Sequence, residues 1–324
     1  MIVNIFVALV LIILCYSVIS AAVFIKIALV RKEKSSPILT NSGPRALYAK
    51  KMQKSADWFM NQNPQNISIT SYDGLKLHAY YLPVENAKGT VLLMHGYHSS
   101  GLRDFACIYE YFYNQGYSVL LPDQRAHGQS EGKFLTFGIR ERFDCRDWIN
   151  WINNREKSAN IKSEGELLPI WVMGISMGSA TVMYATGFDL PKNVKGIIAD
   201  CGFTRPLEII KRSVFRDYHL MPWPMLSFAN ILTKIFCGFG LREYSTKKAL
   251  KKNKIPILFI HGINDAYVPY KMTVKNYNLC IAPKEILTTQ AVHALSFVTA
   301  PNLYKKKLHD FLKKTGDSIT RKNN

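Results

Sequence analysis

The alternation of apolar and polar positions divides the 324 residues into three stretches. From Ile2 to Val30 the chain reads IVNIFVALVLIILCYSVISAAVFIKIALV, an apolar run with a single charge, Lys26. About twenty apolar residues suffice to cross the hydrocarbon core of a bilayer, so residues 1–30 are expected to be a transmembrane anchor. Ser20 and Ala22 could form the small-residue site of a cleaved signal peptide. The apolar run continues past them, however, and no Lys or Arg stands before it, which fits an uncleaved helix. Residues 31–66 then change character. A polar linker with Pro37, Gly43 and Pro44 leads into ALYAKKMQKSADWFMNQN, whose apolar spacing predicts a leading helix.

From Ile67 the period shortens. ISITSYDGLKLHAYYLP holds two alternating runs joined at Asp73-Gly74, a hairpin signal. TVLLM, YSVLLP, IWVM, VKGIIA, IPILFI and KEILTT are short apolar runs of the kind buried in a parallel sheet. Between them lie helical patterns such as FACIYEYFYNQG and GIRERFDCRDWINWINN. Strands interleaved with helices predict an α/β domain over 67–324, with a mostly parallel sheet and helices on both faces. About residues 203–254 break this rhythm. They are rich in aromatics and prolines and too long for an ordinary connection, so they are either a helical cap over a site or a second membrane-touching element.

In an open parallel sheet the chemistry collects where the strands end at their carboxyl side. TVLLM is followed by His95-Gly96-Tyr97-His98, and IWVM by Gly174-Ile175-Ser176-Met177-Gly178. IPILFI is followed by His261-Gly262-Ile263-Asn264-Asp265, and KEILTT by Gln290-Ala291-Val292-His293. A serine becomes a nucleophile at neutral pH when an imidazole takes its proton and a carboxylate fixes the imidazole tautomer. Ser176, Asp265 and His293 occur in the chain order of nucleophile-elbow hydrolases. Asp200, after VKGIIA, is a rival for the acid. His95, His127 and His261 each precede a glycine and read as loop-shaping residues, and Asp123 and Arg125 as a loop-holding pair or backbone partners.

VLLMHGYHSS, LLPDQRAHGQSEG, GISMGSA, ADCGFT, ILFIHGINDAYVP and AVHALSF, in that order, resemble the α/β-hydrolase superfamily. The closer resemblance is to membrane-anchored bacterial hydrolases of the serine aminopeptidase S33-like group. It implies an α/β-hydrolase fold with the cap between two late strands, Ser176 as nucleophile, Asp265 as triad acid and His293 as general base. It further implies an oxyanion hole from the backbone N–H groups of Tyr97 and Met177, with Gly96, Gly174 and Gly178 as motif glycines. Ala126 and Ala291 stand where the family commonly has glycine.

Composition narrows the picture. With 48% hydrophobic and 20% charged residues the chain can build a large core, which excludes a disordered protein. Its formal charge of +19 comes without any nucleic-acid motif, so an anionic membrane surface or a solvated basic face accounts for it and no nucleic acid is expected. Arg31, Lys32 and Lys34 follow the apolar run and place the domain on the cytoplasmic side by the positive-inside rule. The six cysteines have no metal-like spacing and His95 and His98 no supporting ligands, so neither metal nor cofactor is expected. The reading is a serine hydrolase acting on a small or lipid-like acyl ester. The alternatives are a peptidase or amidase of the S33 type and a binding member of the fold.

Overall fold

The computed structural model describes residues 1–32, 43–158, 167–219 and 221–316. Pro37 of the expected linker and the chain beyond 316 lie outside them. The strands are β1 (Gln65–Thr70), β2 (Lys76–Leu82), β3 (Thr90–Met94), β4 (Ser118–Pro122), β5 (Ile170–Ile175), β6 (Val194–Asp200), β7 (Ile257–Gly262) and β8 (Lys284–Thr289). The first helices are α1 (Ile2–Ala28), α2 (Ala49–Asn61), α3 (Gly101–Asp104), α4 (Ile108–Asn114), α5 (Glu141–Ser158) and α6 (Met177–Ala185). Then come α7 (Pro206–Tyr218), α8 (Met225–Phe236), α9 (Thr246–Leu250), α10 (Tyr270–Leu279), α11 (Ser296–Thr299) and α12 (Pro301–Gly316).

The apolar runs β3, β4, β5 and β7 are buried at every residue, as strands covered on both faces must be. Side chains alternate across a strand, so each run feeds two cores. Leu93, Leu121, Met173 and Ile260 point to the face covered by Phe59, Tyr109, Phe112 and Phe311 of α2, α4 and α12. Leu92, Leu120, Val172 and Phe259 point to the other face, under Trp148, Ile149 and Ile152 of α5 and Val182 of α6. The strands form one sheet in the order β1-β2-β4-β3-β5-β6-β7-β8. β1 and β2 are the antiparallel hairpin turned at Asp73-Gly74, and β2 runs antiparallel to β4. The remaining pairings are parallel, so the carboxyl ends of β3 to β8 share one edge.

Above that edge sits a third core. The stretch between β6 and β7 folds into α7, α8 and α9, and Ile210, Val214, Leu226 and Ala229 of it pack with Met177 and Ala180 of α6. Ala21 of α1 and the following Leu29 are buried in the same core. α1 runs along α8, with Ser17 and Ala21 of α1 and Ala229 and Thr233 of α8 fully buried; small residues let the two backbones approach closely. The stretch therefore covers the sheet edge, and it also packs on the long apolar helix.

Of the two expectations for the loop after β4, the mutual Asp123–Arg125 pair does not form, while Asp123 does take a backbone partner. Arg125 reaches away from Asp123 to two other acids. It donates to Asp144 at 2.6 Å with both Nε and an Nη, and its other contacts are to Asp73 at 2.8 and 3.0 Å. Asp123 instead bonds the His78 ring and accepts from the Gln129 N–H. The physical reason is burial: Arg125 and Asp144 are 5% and 1% exposed, and a buried charge requires a partner of opposite sign.

Removing Arg125 leaves Asp144 buried and unpaired, so Arg125→Ala should lower unfolding free energy by about 3–5 kcal/mol in urea titration. Arg146→Ala, whose pair with Asp147 is partly exposed, should cost less than about 1 kcal/mol. At Gly178 a Cβ would lie 1.8 Å from the Met94 carbonyl oxygen, backbone that cannot step aside. Gly178→Ala should therefore cost about 3 kcal/mol, the upper range for overpacking, in the same titration.

Candidate active site

Ser176 stands between the last residue of β5 and the first of α6, with φ 56° and ψ −113°. This is a strained conformation for a side chain with a Cβ, and two flanking approaches enforce it. A Cβ on Gly174 would sit 2.2 Å from the Gly178 carbonyl oxygen, so both glycines are needed for strand and helix to meet this closely. The Ser176 N–H is fixed by the carbonyl of Asp200 on β6 at 2.9 Å, and its own carbonyl accepts from Ala180 to start the helix. The hydroxyl is thereby presented at the sheet edge.

His293, in the loop after β8, lies 2.9 Å from the Ser176 Oγ through Nε2 and 2.6 Å from Asp265 Oδ2 through Nδ1. An ionised carboxylate can only accept, so Nδ1 carries the proton and the Nε2 lone pair faces the serine. Asp265, after β7, is fully buried in its side chain. Its other oxygen accepts from the N–H groups of Tyr267 and Val268 at 2.8 and 2.9 Å. Burial pushes its pKa up, but the bonds from His261, His293 and the Val268 N–H outweigh this and hold the carboxyl well below the usual range. The rival acid Asp200 is bound by the Tyr304 hydroxyl at 2.8 Å, and burial pushes its pKa up to about 6. Its carboxyl is bonded to Tyr304, whereas the His293 ring is bonded to Asp265.

The three sequence-predicted residues thus converge, and the proposed oxyanion donors lie beside them. Met177 is the first residue of α6, a position whose N–H has no acceptor within its own helix. Gly96 approaches so closely that a Cβ there would be 3.4 Å from that of Ser176, which sets the Tyr97 peptide next to the serine.

Several supporting residues went unrecognised as part of the site. Asp104 on α3 accepts from the Gly96 N–H at 2.7 Å and the Ser99 hydroxyl at 2.7 Å, pinning the loop that carries Tyr97. His261 is more than a loop-shaping residue. Its Nε2 meets the Val268 carbonyl at 2.8 Å, which fixes the proton on that nitrogen, and the same nitrogen is 3.3 Å from Asp265. His95 and His127 do shape loops, accepting from the N–H groups of Gln124 and His98. Ala126, where glycine is usual, adopts φ 62°.

Ser176 and His293 open into a cavity of about 660 Å³. Its lining is largely apolar, from Phe137, Phe203, Ile209, Ile210 and Val214 among others, with one wall supplied by α1. Among the described lining residues the carboxylates reduce to Asp217, which is held by Arg216 at 2.6 Å. His98 on the rim has its pKa pushed down to about 4, by burial first and by Lys32 second, so it is neutral at physiological pH.

A model of the family described as serine aminopeptidase, S33, matches residues 85–249. Among curated proteins, the uncharacterized protein YqkD of Bacillus subtilis is 28% identical over 251 residues, covering 77% of this chain and 79% of that one. The uncharacterized membrane protein YNL320W of Saccharomyces cerevisiae is 26% identical over 220 residues, covering 67% and 68%. Among solved structures, the Pyrococcus furiosus esterase Pf2001 superposes with a TM-score of 0.62 at 24% identity, covering 88% of this chain and 99% of that one. At that identity the superposition speaks for the fold. With the family match over half its length and the sheet and elbow described above, the chain belongs to the serine aminopeptidase S33 family and is an enzyme of the α/β-hydrolase fold.

Proposed function

We propose that the protein hydrolyses carboxylic esters with apolar acyl groups through a Ser176–His293–Asp265 triad. The observation that carries this is the single imidazole bonded to both the serine hydroxyl and a buried carboxylate, in the tautomer a general base requires. In the first step His293 Nε2 takes the Ser176 proton as Oγ attacks the carbonyl carbon. The carbonyl oxygen becomes an oxyanion facing the Tyr97 and Met177 N–H groups and the positive end of α6. The C–O bond to the alcohol then breaks, His293 Nε2–H protonates the leaving oxygen, and an acyl-Ser176 ester remains. Water, deprotonated by His293, attacks that ester, and Ser176 recovers its proton as the acid leaves. Asp265 positions His293 throughout.

Esters are favoured over peptides by the cavity. An aminopeptidase must hold a free α-ammonium group, which calls for an available carboxylate. The cavity's Asp217 is already neutralised by Arg216, and the other described lining is mostly apolar. Residues 1–30 are read as a retained membrane anchor, 31–66 as linker and leading helix, and 67–324 as the hydrolase domain on the cytoplasmic side. Retention is supported by what cleavage after Ala22 would remove, namely Ser17 and Ala21 buried against the domain.

The test is a p-nitrophenyl ester series beside aminoacyl-p-nitroanilides, with Ser176→Ala as control. Turnover of esters, loss of it in Ser176→Ala and inertness towards the anilides are expected; anilide turnover above ester turnover would establish the peptidase instead. Asp265→Asn should lower kcat by about 10⁴, through the wrong histidine tautomer. It should also reveal a pH-linked stability term. Since the folded pKa of Asp265 is depressed, its contribution is fully present above the free aspartate value of about 3.9 and is lost as pH falls below it. The gap in unfolding free energy between wild type and Asp265→Asn should accordingly be constant near neutrality and shrink from about pH 4 downward.

A further inference from the structure

We infer that α1 is itself a wall of the substrate site, so that the cavity opens at bilayer depth and takes a single acyl chain directly from the membrane. The inference rests on the esterase reading and names its substrate class: esters of one long acyl chain, partitioned in a lipid bilayer.

Two faces of α1 do different work. Ser17 and Ala21 pack it against α8, while Tyr16, Ile19, Ser20, Val23, Phe24 and Ile27 line the cavity that contains Ser176 and His293. The second set follows the three- and four-residue spacing of one helix face. The helix is fixed in this position at its end. The Tyr97 hydroxyl donates to the Ala28 carbonyl at 2.8 Å, tying α1 to the residue beside Ser176. Arg31 donates to the carbonyls of Ser130 and Gly128 at 2.5 and 2.6 Å, and backbone bonds join Leu29 and Arg31 to Leu135 and Lys133.

Depth follows from length. Crossing the hydrocarbon takes about twenty residues, and every window of twenty within Ile2–Ala28 contains residues 9 to 21. Tyr16, Ile19 and Ser20 therefore lie within hydrocarbon wherever in that helix the span falls. The cap agrees. Phe215, Met221, Trp223, Ile231, Ile235 and Phe236 are each more than half exposed, an apolar surface on the cap elements beside α1 with Trp223 suited to the lipid interface. A chain leaving the bilayer would enter the cavity between α1 and the cap without crossing water, its carbonyl reaching Ser176.

The test uses the full chain in phosphatidylcholine vesicles containing phosphatidylglycerol, with p-nitrophenyl esters from acetate to decanoate. Wild type should gain in kcat/KM with acyl length, approaching about fourfold per methylene where the chain is fully buried. Ser20→Trp and Val23→Trp project bulk from α1 into the cavity. In each the decanoate-to-acetate ratio of kcat/KM should fall about tenfold or more, the worth of roughly two buried methylenes. Ala22→Trp, exposed and outside the cavity lining, should match wild type on both esters. Equal chain-length profiles in all three variants and wild type would overturn the role of α1 while leaving the esterase intact. Equal loss on acetate and decanoate in the two cavity variants would overturn it too, since the effect would not be on the acyl chain. A wild type inert on every ester would instead overturn the esterase reading itself.

Discussion

The contact on which the site depends is the approach of the first turn of α6 to the end of β3, where Gly178 lies against the Met94 and His95 carbonyls. With no side chain at 174 or 178, strand and helix meet at a turn sharp enough to force Ser176 to φ 56°. Everything else is arranged around the hydroxyl this exposes. The parallel sheet brings the loops after β3, β7 and β8 to the same edge, so Tyr97, Asp265 and His293 reach one point from distant parts of the chain. The strain is local and the packing that holds it is extensive: two cores of alternating strand residues press the helices onto the sheet from both sides.

Electrostatics in the site follows burial and pairing. Asp265 and Asp200 are both buried acids near the same edge, yet they are tuned in opposite directions. Asp265 has two histidines and two backbone N–H groups, which keep it charged. Burial pushes the Asp200 pKa up to about 6, and the bond from the Tyr304 hydroxyl offsets this only in part. Asp265, not Asp200, is bonded directly to the His293 ring, and this contact is what favours Asp265 for the proposed role of triad acid.

Much of this was legible in the order of strand-end loops, because in a parallel sheet a residue just past a strand is placed almost by the strand alone. Ser176, Asp265 and His293 fall in that class, as does the β1–β2 hairpin at Asp73-Gly74. What was not legible depends on side chains meeting across the fold. Asp104 holds the Gly96 loop from a four-residue helix, His261 supports Asp265 through a shared contact with the Val268 turn, and Arg125 passes over Asp123 to reach Asp144. No period or spacing encodes those meetings. α1 is the instructive case. Its hydropathy speaks only of a membrane, and nothing in the sequence separates Ser17 and Ala21, which pack on protein, from the equally small Ser20 and Ala22 on its other faces.

Function in this chain turns on whether the elbow hydroxyl is chemically active, since the cavity, the cap and α1 matter for turnover only if it is. The direct measurement is reaction with an alkyl fluorophosphonate, with the adduct located by peptide mass spectrometry. The account predicts a single stoichiometric adduct on Ser176 in wild type and none in His293→Ala, because the serine is a nucleophile only with the imidazole to take its proton. An unmodified Ser176, or equal labelling with and without His293, would contradict it.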